Sequence, residues 1–420
     1  MADTMTDNAF SPPSLNGRAT APVRLCLGGG AHVPEGYTNI DRLNGDEAYP
    51  LAYPDASVDE VYASHILEHF PMREKEDVLR EWVRVLKPGG VLKVAVPDLG
   101  KWAEAYVNGT GGSLDEAIIY GGQTDENDYH RSGYSEEGLR FLLRKMGLVG
   151  IRHWQSDLDD CAATHVSLNL QGTKPPAHIH DPKWQNGRVI GVFTTPRVGF
   201  VDPMRQVSKA FASLSIGIVK TGGAYFHFGM DRAIQSALDE TDAEYILTMD
   251  YDTLFDTDTI LSLLTLAETH PEADAIVPAQ IKRECGDVLV NVPDEYRAIS
   301  TINRNELVPI EMGHFGLTLI RASAMRKMPK PWFAGVPDEV GGWGDEKKDA
   351  AGNVTFRGRI DPDVNFWRLF KAAGFNAYMA SWVSVGHMQL VATWPGADFQ
   401  PVHQFMSEYD KSGRPGRARQ

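Results

Sequence analysis

Residues 244–258 read EYILTMDYDTLFDTD. The segment opens with an apolar run, Tyr245, Ile246 and Leu247, closed by Met249. A run this short and this rich in β-formers is expected to be a buried strand. Asp250 and Asp252 follow at its end, with Tyr251 between them. Side chains alternate along a strand, so residues two apart face the same way. Both carboxylates are therefore expected beyond the strand's carboxyl edge, where open α/β sheets bind ligands. Two hard oxygen ligands at one point suit a divalent cation that also holds phosphates. Asp-x-Asp alone is a cheap pattern. The chain has four, at 157/159, 250/252, 256/258 and 361/363, and only 250/252 directly follows a buried-strand pattern. The alternative at this position is a solvated strand-end turn.

Around this stretch lie a first strand at 188–195, a helix at 228–239 with Met230, Ile234, Ala237 and Leu238 on one side, a helix at 258–268 and a strand at 275–277. Trp332 and Trp343 stand beside glycines and phenylalanine. Sugar faces stack on such rings, which makes both candidates for acceptor contact, with ordinary core packing as the alternative. Asp361-Pro362-Asp363 precedes a helix whose apolar face includes Phe366, Leu369 and Phe370.

Residues 188–390 resemble the inverting, family 2 type of nucleotide-sugar glycosyltransferase with the GT-A fold. The resemblance rests on RVIGVFTTP, FGMDRAIQSALDETDAEYILTMDYD, GHFGLTLIRASAMRKMPKPWF and DPDVNFWRLFKAAGFNAYMASWVSVGH. It implies that Thr194 and Thr195 hold the nucleotide base, and that Asp231 and Arg232 lie near the diphosphate-sugar. It makes Asp363 the general base. Pro362 replaces the usual Glu of that motif, with Asp361 as its substitute. His387 would join Asp250 and Asp252 around Mn²⁺ or Mg²⁺, a sensible donor set for either ion.

The whole chain bounds these expectations. Its 420 residues allow two domains, each with its own core. A hydrophobic content of 42% with 23% charged residues fits an ordinary globular protein. A net charge of −15 argues against general nucleic-acid binding. Cys26, Cys161 and Cys285 are scattered and odd in number, so neither a disulfide framework nor a zinc cluster is expected, and a reducing cytoplasm fits. No apolar run reaches transmembrane length. The first 20 residues lack the marks of a signal peptide and are expected as a floppy tail.

Strands alternate with helices before residue 174 as well. Residues 23–27 form a short apolar strand followed at once by Gly28-Gly29-Gly30, where a ligand can approach the backbone closely. Ile40-Asp41 ends a second strand, with an acid placed for ribose hydroxyls. Residues 57–64 read as a third strand, and 64–69, SHILEH, as the loop after it. Leu79, Trp82, Val83 and Leu86 mark a helix over 72–86, stopped by Lys87-Pro88-Gly89-Gly90. Residues 91–97 are a buried strand. Ser135 caps a helix whose apolar face is Leu139, Leu142, Leu143 and Met146. The segment 164–175 closes the unit as an edge strand.

These pieces resemble a class I methyltransferase that uses S-adenosylmethionine. They are LCLGGG, the acid in NIDR, LAYPDASVDEVYASHILEH, RVLKPGGVLKVAVPDL and HRSGYSEEGLRFLLRKMG. The resemblance implies Gly28 and Gly30 along the methionine part of the cofactor, Asp41 on the ribose and Asp55 near the adenine. His65, directly after the third strand, is the candidate to contact an acceptor; His69 and His130 are further titratable groups near the pocket. Two departures stand out. Cys26 occupies the place of the family's usual first-strand acid. Only ten residues separate Leu27 from Thr38, fewer than a helical crossover needs, so the first helix can be a turn or two at most.

The expected architecture is thus α/β, with two doubly wound Rossmann-like domains: a tail at 1–20, a methyltransferase-like domain at 21–174, a linker at 175–187, a GT-A domain at 188–395 and a tail at 396–420. The expected function is sugar transfer from a nucleotide sugar to a glycan or other hydroxyl acceptor, joined to methyl transfer. A methyltransferase-like domain that only docks, or a non-catalytic glycan-binding scaffold, are the rivals.

Overall fold

The computed structural model describes residues 21–109, 117–195, 201–222, 226–283, 287–293, 306–349, 351–395 and 400–412. The first sheet holds β1 (Arg24–Leu27), β2 (Thr38–Ile40), β3 (Val58–Ser64), β4 (Leu86–Pro97), β5 (Val149–His153) and β6 (Ser167–Thr173). Their order is β2-β1-β3-β4-β6-β5. β1 pairs in parallel with both β2 and β3, and β3 with β4. β6 is antiparallel to both neighbours. Strand order therefore reverses at β1/β3, which makes their carboxyl ends the crevice of this sheet.

Helices α1 (Lys75–Val85), α2 (Leu99–Val107), α3 (Ala117–Tyr120) and α4 (Glu136–Lys145) accompany it. Val78, Leu79 and Trp82 of α1, and Leu139, Leu142 and Leu143 of α4, are buried in one core with Leu25, Val61 and Val94 of the sheet. The Trp82 indole N–H donates to the Ala48 carbonyl at 2.8 Å, so its polar edge is satisfied inside that core. Ser135 caps α4 as its position suggested, accepting from the Gly138 N–H at 3.3 Å.

Two expectations are corrected here. The residues of 164–175 do not form the edge: Val149–His153 pairs outside them, because β5 doubles back after α4. The segment Lys87-Pro88-Gly89-Gly90 is not a separate stop but the start of β4, already extended from Leu86. The short crossover is borne out. No helix lies between β1 and β2, and residues 28–37 pass as turns.

The second sheet follows α5 (Pro182–Gln185). In chain order come β7 (Val189–Thr195), α6 (Val201–Ser213), β8 (Gly217–Gly222), α7 (Phe226–Glu240), β9 (Tyr245–Asp250), β10 (Thr253–Leu254), α8 (Thr257–Thr269) and β11 (Ala275–Ala279). Then come β12 (Leu307–Pro309), β13 (Leu317–Arg321), α9 (Ala322–Lys327), β14 (Lys347–Lys348), β15 (Val354–Phe356), α10 (Pro362–Ala372), β16 (Ala377–Ser384) and β17 (Gly386–His387). Seven strands form a sheet in the order β12-β16-β11-β13-β9-β7-β8. β9 is buried along its apolar run, as the sequence suggested, and lies parallel to β7. β13 inserts antiparallel between β9 and β11, and β12 is antiparallel to β16. The sheet is mixed rather than purely parallel.

The segment 175–187 is packed, not a free linker. It folds into short helical turns whose Ile179 and Gln185 are fully buried, and His178 reaches Glu268 of α8 at 3.2 Å. Helix α8 explains this. Every residue from Thr259 to Ala267 is buried, as expected of a helix covered on all sides. It touches β4 and β5 of the first sheet and β11 and β16 of the second. Beside it the Arg152 guanidinium lies over the Trp382 ring, 4.7 Å from its centroid, and burial pulls Arg152 down to about 10. Among the described residues no helix is long and apolar enough to cross a membrane.

Candidate functional site

Two clefts collect the chemistry-bearing residues. The first, about 520 Å³, opens at the carboxyl ends of β1, β2 and β3. Gly28, immediately after β1, lines it with φ +63°, and a Cβ there would meet the Ile66 side chain at 2.6 Å. The positive φ favours glycine here, and a Cβ would also displace the tip of the Ile66 side chain. Asp41 lines the cleft from the end of β2. Its carboxylate accepts from the Gly30 N–H at 2.9 Å and the Leu43 N–H at 2.8 Å. Gly30 itself does not line the cleft; it holds Asp41 in place.

His65 lines the cleft after β3 in a left-handed conformation, φ +51°. Its Nε2 is 2.9 Å from Ser167 Oγ, and its Nδ1 is 3.3 Å from a Glu68 oxygen. His69 also lines the cleft and packs edge-on to His130, with centroids 4.9 Å apart. Burial lowers the pKa of His130. Cys26 is buried beneath, and burial pushes its thiol up to about 12, so it is no thiolate.

Asp55 is corrected. It precedes β3 and so lies at the opposite, amino edge, where it pairs with Arg84 and is largely exposed. Besides Asp41, Glu47 lines the cleft 3.0 Å from Arg42, which lines it too. Neither was singled out from the sequence. The signal was available, since both follow β2 on the crevice side.

The second cleft, about 370 Å³, lies at the end of β9. Asp250, Asp252, Asp363 and His387 all line it. The pairing of Thr253 with His387 in the β10/β17 ladder brings two distant segments together. His387 Nδ1 lies 3.0 Å from the Ile281 carbonyl, a contact that fixes this nitrogen as the donor and leaves Nε2 facing Asp252. Burial lowers its pKa, favouring the neutral form that binds metals. Asp252 is almost fully buried and ion-paired with Arg283. Asp363 stands in the first turn of α10, and accepts from the Val364 N–H at 2.8 Å. His314 underlies the cleft, fully buried and pulled down to about 4 by that burial. It bridges the Pro278 carbonyl and the Gly316 N–H. A Cβ on Gly316 would meet Thr253 Oγ1 at 2.7 Å, so the strand end is clamped tightly.

Other expected residues fall outside this cleft. The Thr194 and Thr195 side chains lie outside the described residues. Asp231 accepts from the Trp332 and Phe333 N–H groups, a buried tie between α7 and the 330s, and burial raises its pKa. Arg232 is exposed. Trp332 is 1% exposed and offers no face to a ligand; core packing wins at this position. Trp343 is 58% exposed. Asp361 pairs with Arg359 at 2.9 Å rather than facing the cleft. Arg283, Gln280 and Asn291 line the cleft and were missed; only the basic pair Lys282-Arg283 just past β11 hinted at them.

The two sheets define an α/β chain with a switch-point crevice in its first half. The sequence model of a protein family described as a methyltransferase domain matches residues 33–94. Residues 33–94 are thus similar to a methyltransferase domain. No curated protein matches the chain. Among solved structures, A197 from STIV shares 14% identity over 52% of this chain and 94% of that one, with a TM-score of 0.33. A possible histamine N-methyltransferase from Thermotoga maritima shares 19% over 36% and 82%, with a TM-score of 0.25. A SAM-dependent methyltransferase from Archaeoglobus fulgidus shares 14% over 37% and 86%, at 0.25.

Proposed function

We propose that the chain is an enzyme with two centres: S-adenosylmethionine-dependent methyl transfer in the first cleft, and metal-dependent sugar transfer from a nucleotide-diphosphate donor in the second. The first part is supported by the methyltransferase family match together with Gly28, Asp41 and His65 at the β1/β3 crevice. The residues fit the cofactor: an open backbone at Gly28 and an oriented acid at Asp41. When bound, S-adenosylmethionine supplies an electrophilic methyl group. Gly28 gives its backbone room, Asp41 takes ribose hydroxyls, and His65 meets the acceptor.

The second part is carried by one observation. Four residues from three separate segments, Asp250, Asp252, Asp363 and His387, share one cleft. Their donor set suits Mn²⁺ or Mg²⁺. When bound, the metal neutralises charge on the departing diphosphate. Asp363 takes the acceptor proton, and the positive end of α10 sits behind it. The fold that goes with this reading is GT-A, and the acceptor is a glycan or other hydroxyl compound.

A thermal-shift screen of the full chain tests both parts, with S-adenosylmethionine or UDP- and GDP-sugars, each with and without Mn²⁺. A ligand at 100 times its Kd stabilises by about 2.7 kcal/mol. Stabilisation by nucleotide sugar that needs Mn²⁺ supports the second centre, and stabilisation by S-adenosylmethionine alone supports the first. Silence towards both classes favours the scaffold reading.

A further inference from the structure

Beneath the first cleft a buried carboxylate faces three imidazoles. Glu68 is fully buried, and among the described residues neither of its oxygens accepts a hydrogen bond. Among the described residues its ion-pair contacts are with histidines alone: His65 Nδ1 at 3.3 Å and His130 Nε2 at 3.9 Å. Leaving a carboxylate unpaired in the interior is costly.

The protons of these histidines are directed elsewhere. Ser167 donates its hydroxyl to Asn169 Oδ1 at 2.7 Å. Ser167 Oγ is therefore the acceptor for His65 Nε2–H, and a neutral His65 turns the lone pair of Nδ1 towards Glu68. His130 Nδ1–H donates to the Ile118 carbonyl at 3.0 Å, which turns its Nε2 lone pair towards the same carboxylate. His69 Nδ1 is buried with no partner among the described residues. Acceptors facing acceptors are reconciled by a proton or by a metal ion between them, and three ligand atoms converging on one point suit the metal.

We infer that Glu68, His69 and His130 form a binding site for one divalent first-row transition ion at the floor of the first cleft. One ligand atom from each lies within 4.8 Å of the others. Metal–ligand bonds of about 2.0–2.2 Å draw such atoms to roughly 3.5 Å, a closure of about an ångström. Two imidazoles with one carboxylate favour Zn²⁺, Mn²⁺ or Co²⁺ over the all-oxygen ions. The Ile118 carbonyl is the outer partner that orients His130, as imidazole ligands usually require. Three protein ligands leave a coordination position open. His65 and His69 line the cleft, so an acceptor oxygen entering there would reach that position. The set is separate from Asp250, Asp252 and His387, and it stands whether or not S-adenosylmethionine binds above it.

The test uses the metal-stripped full chain carrying Asp252→Ala and His387→Ala, which removes competition from the second cleft. Zn²⁺ is reloaded, the protein desalted and its metal content measured. Co²⁺ is titrated separately and followed by its visible absorption. One retained equivalent and a saturable Co²⁺ band are expected. Glu68→Gln, His69→Ala and His130→Ala should each weaken binding by more than roughly 100-fold, beyond the cost of losing an outer-shell partner. Circular dichroism shows which variants remain folded, and the conservative Glu68→Gln carries the test if an alanine variant does not. Absence of a retained equivalent, or retention unchanged in a folded Glu68→Gln protein, overturns the site. Calorimetry with S-adenosylmethionine runs alongside: metal binding without cofactor binding would uphold this site and sink the methyl-transfer proposal.

Discussion

His387 Nε2 and Asp252 Oδ2 lie 3.4 Å apart, brought together by the short β10/β17 ladder although they are far apart in sequence. A metal held between them depends on both. Asp252→Ala and His387→Ala should each abolish Mn²⁺-dependent UDP or GDP binding in calorimetry. Metal-dependent binding that survives in Asp252→Ala would remove the assignment. Arg283 already pairs with Asp252, so Arg283→Ala should leave metal affinity equal or higher.

Asp363 faces the same cleft from the first turn of α10. Asp363→Asn keeps the shape and removes the basicity. Donor binding should persist while kcat falls by roughly 10²–10⁴. Asp361→Asn should have a milder effect, since Asp361 is turned to Arg359. The product anomer, read by NMR, should be opposite to the donor's; a retained configuration would exclude Asp363 as the base of an inverting transfer.

In the first cleft Asp41→Ala should weaken S-adenosylmethionine by about 1.5–3 kcal/mol, or roughly 10- to 150-fold. Gly28→Ala should do at least as much, through the Ile66 collision and the positive φ. Asp55→Ala, at the other edge, should leave affinity unchanged. Equal losses in all three variants would point to general damage rather than to a site.

His314 gives a stability prediction with a definite sign. Its pKa drops from 6.5 to about 4 in the folded chain. Above pH 6.5 both states hold it neutral and its contribution is complete. Between pH 6.5 and 4 the unfolded chain takes up the proton and the folded chain does not, so stability falls with pH by up to about 3 kcal/mol. Denaturant unfolding at pH 7 and pH 4.5 should show a smaller difference in His314→Gln than in the parent. An identical difference would mean His314 is not the buried neutral group drawn here.

The parts of the fold legible in the sequence were those whose pattern is local. The run 245–249 identified β9 because apolar residues and terminal acids sit within one strand. The count from Leu27 to Thr38 allowed a crossover with a turn or two of helix at most, and the structure has none there. Long-range pairing was not legible. Val149-Gly150-Ile151-Arg152-His153 offers only two apolar residues and a glycine, and its edge position follows from β6 and α8 rather than from itself. Trp332 could stack on a sugar or fill a core, and only the surrounding Phe315, Phe333 and Phe366 cluster decides for the core. The Glu68 cluster was half visible. His65, His69 and His130 drew attention, but the burial of Glu68 among them is a tertiary fact.

Helix α8 belongs to neither half alone. A cut through residues 175–187 would strip it from β4 and β5, and turn an inner wall into an outer one. Val149 on one fragment and Leu261 on the other would meet water, and exposed apolar faces of that kind glue copies together. The two halves therefore cannot be shuffled as loose cassettes. They are made, folded and lost as one object.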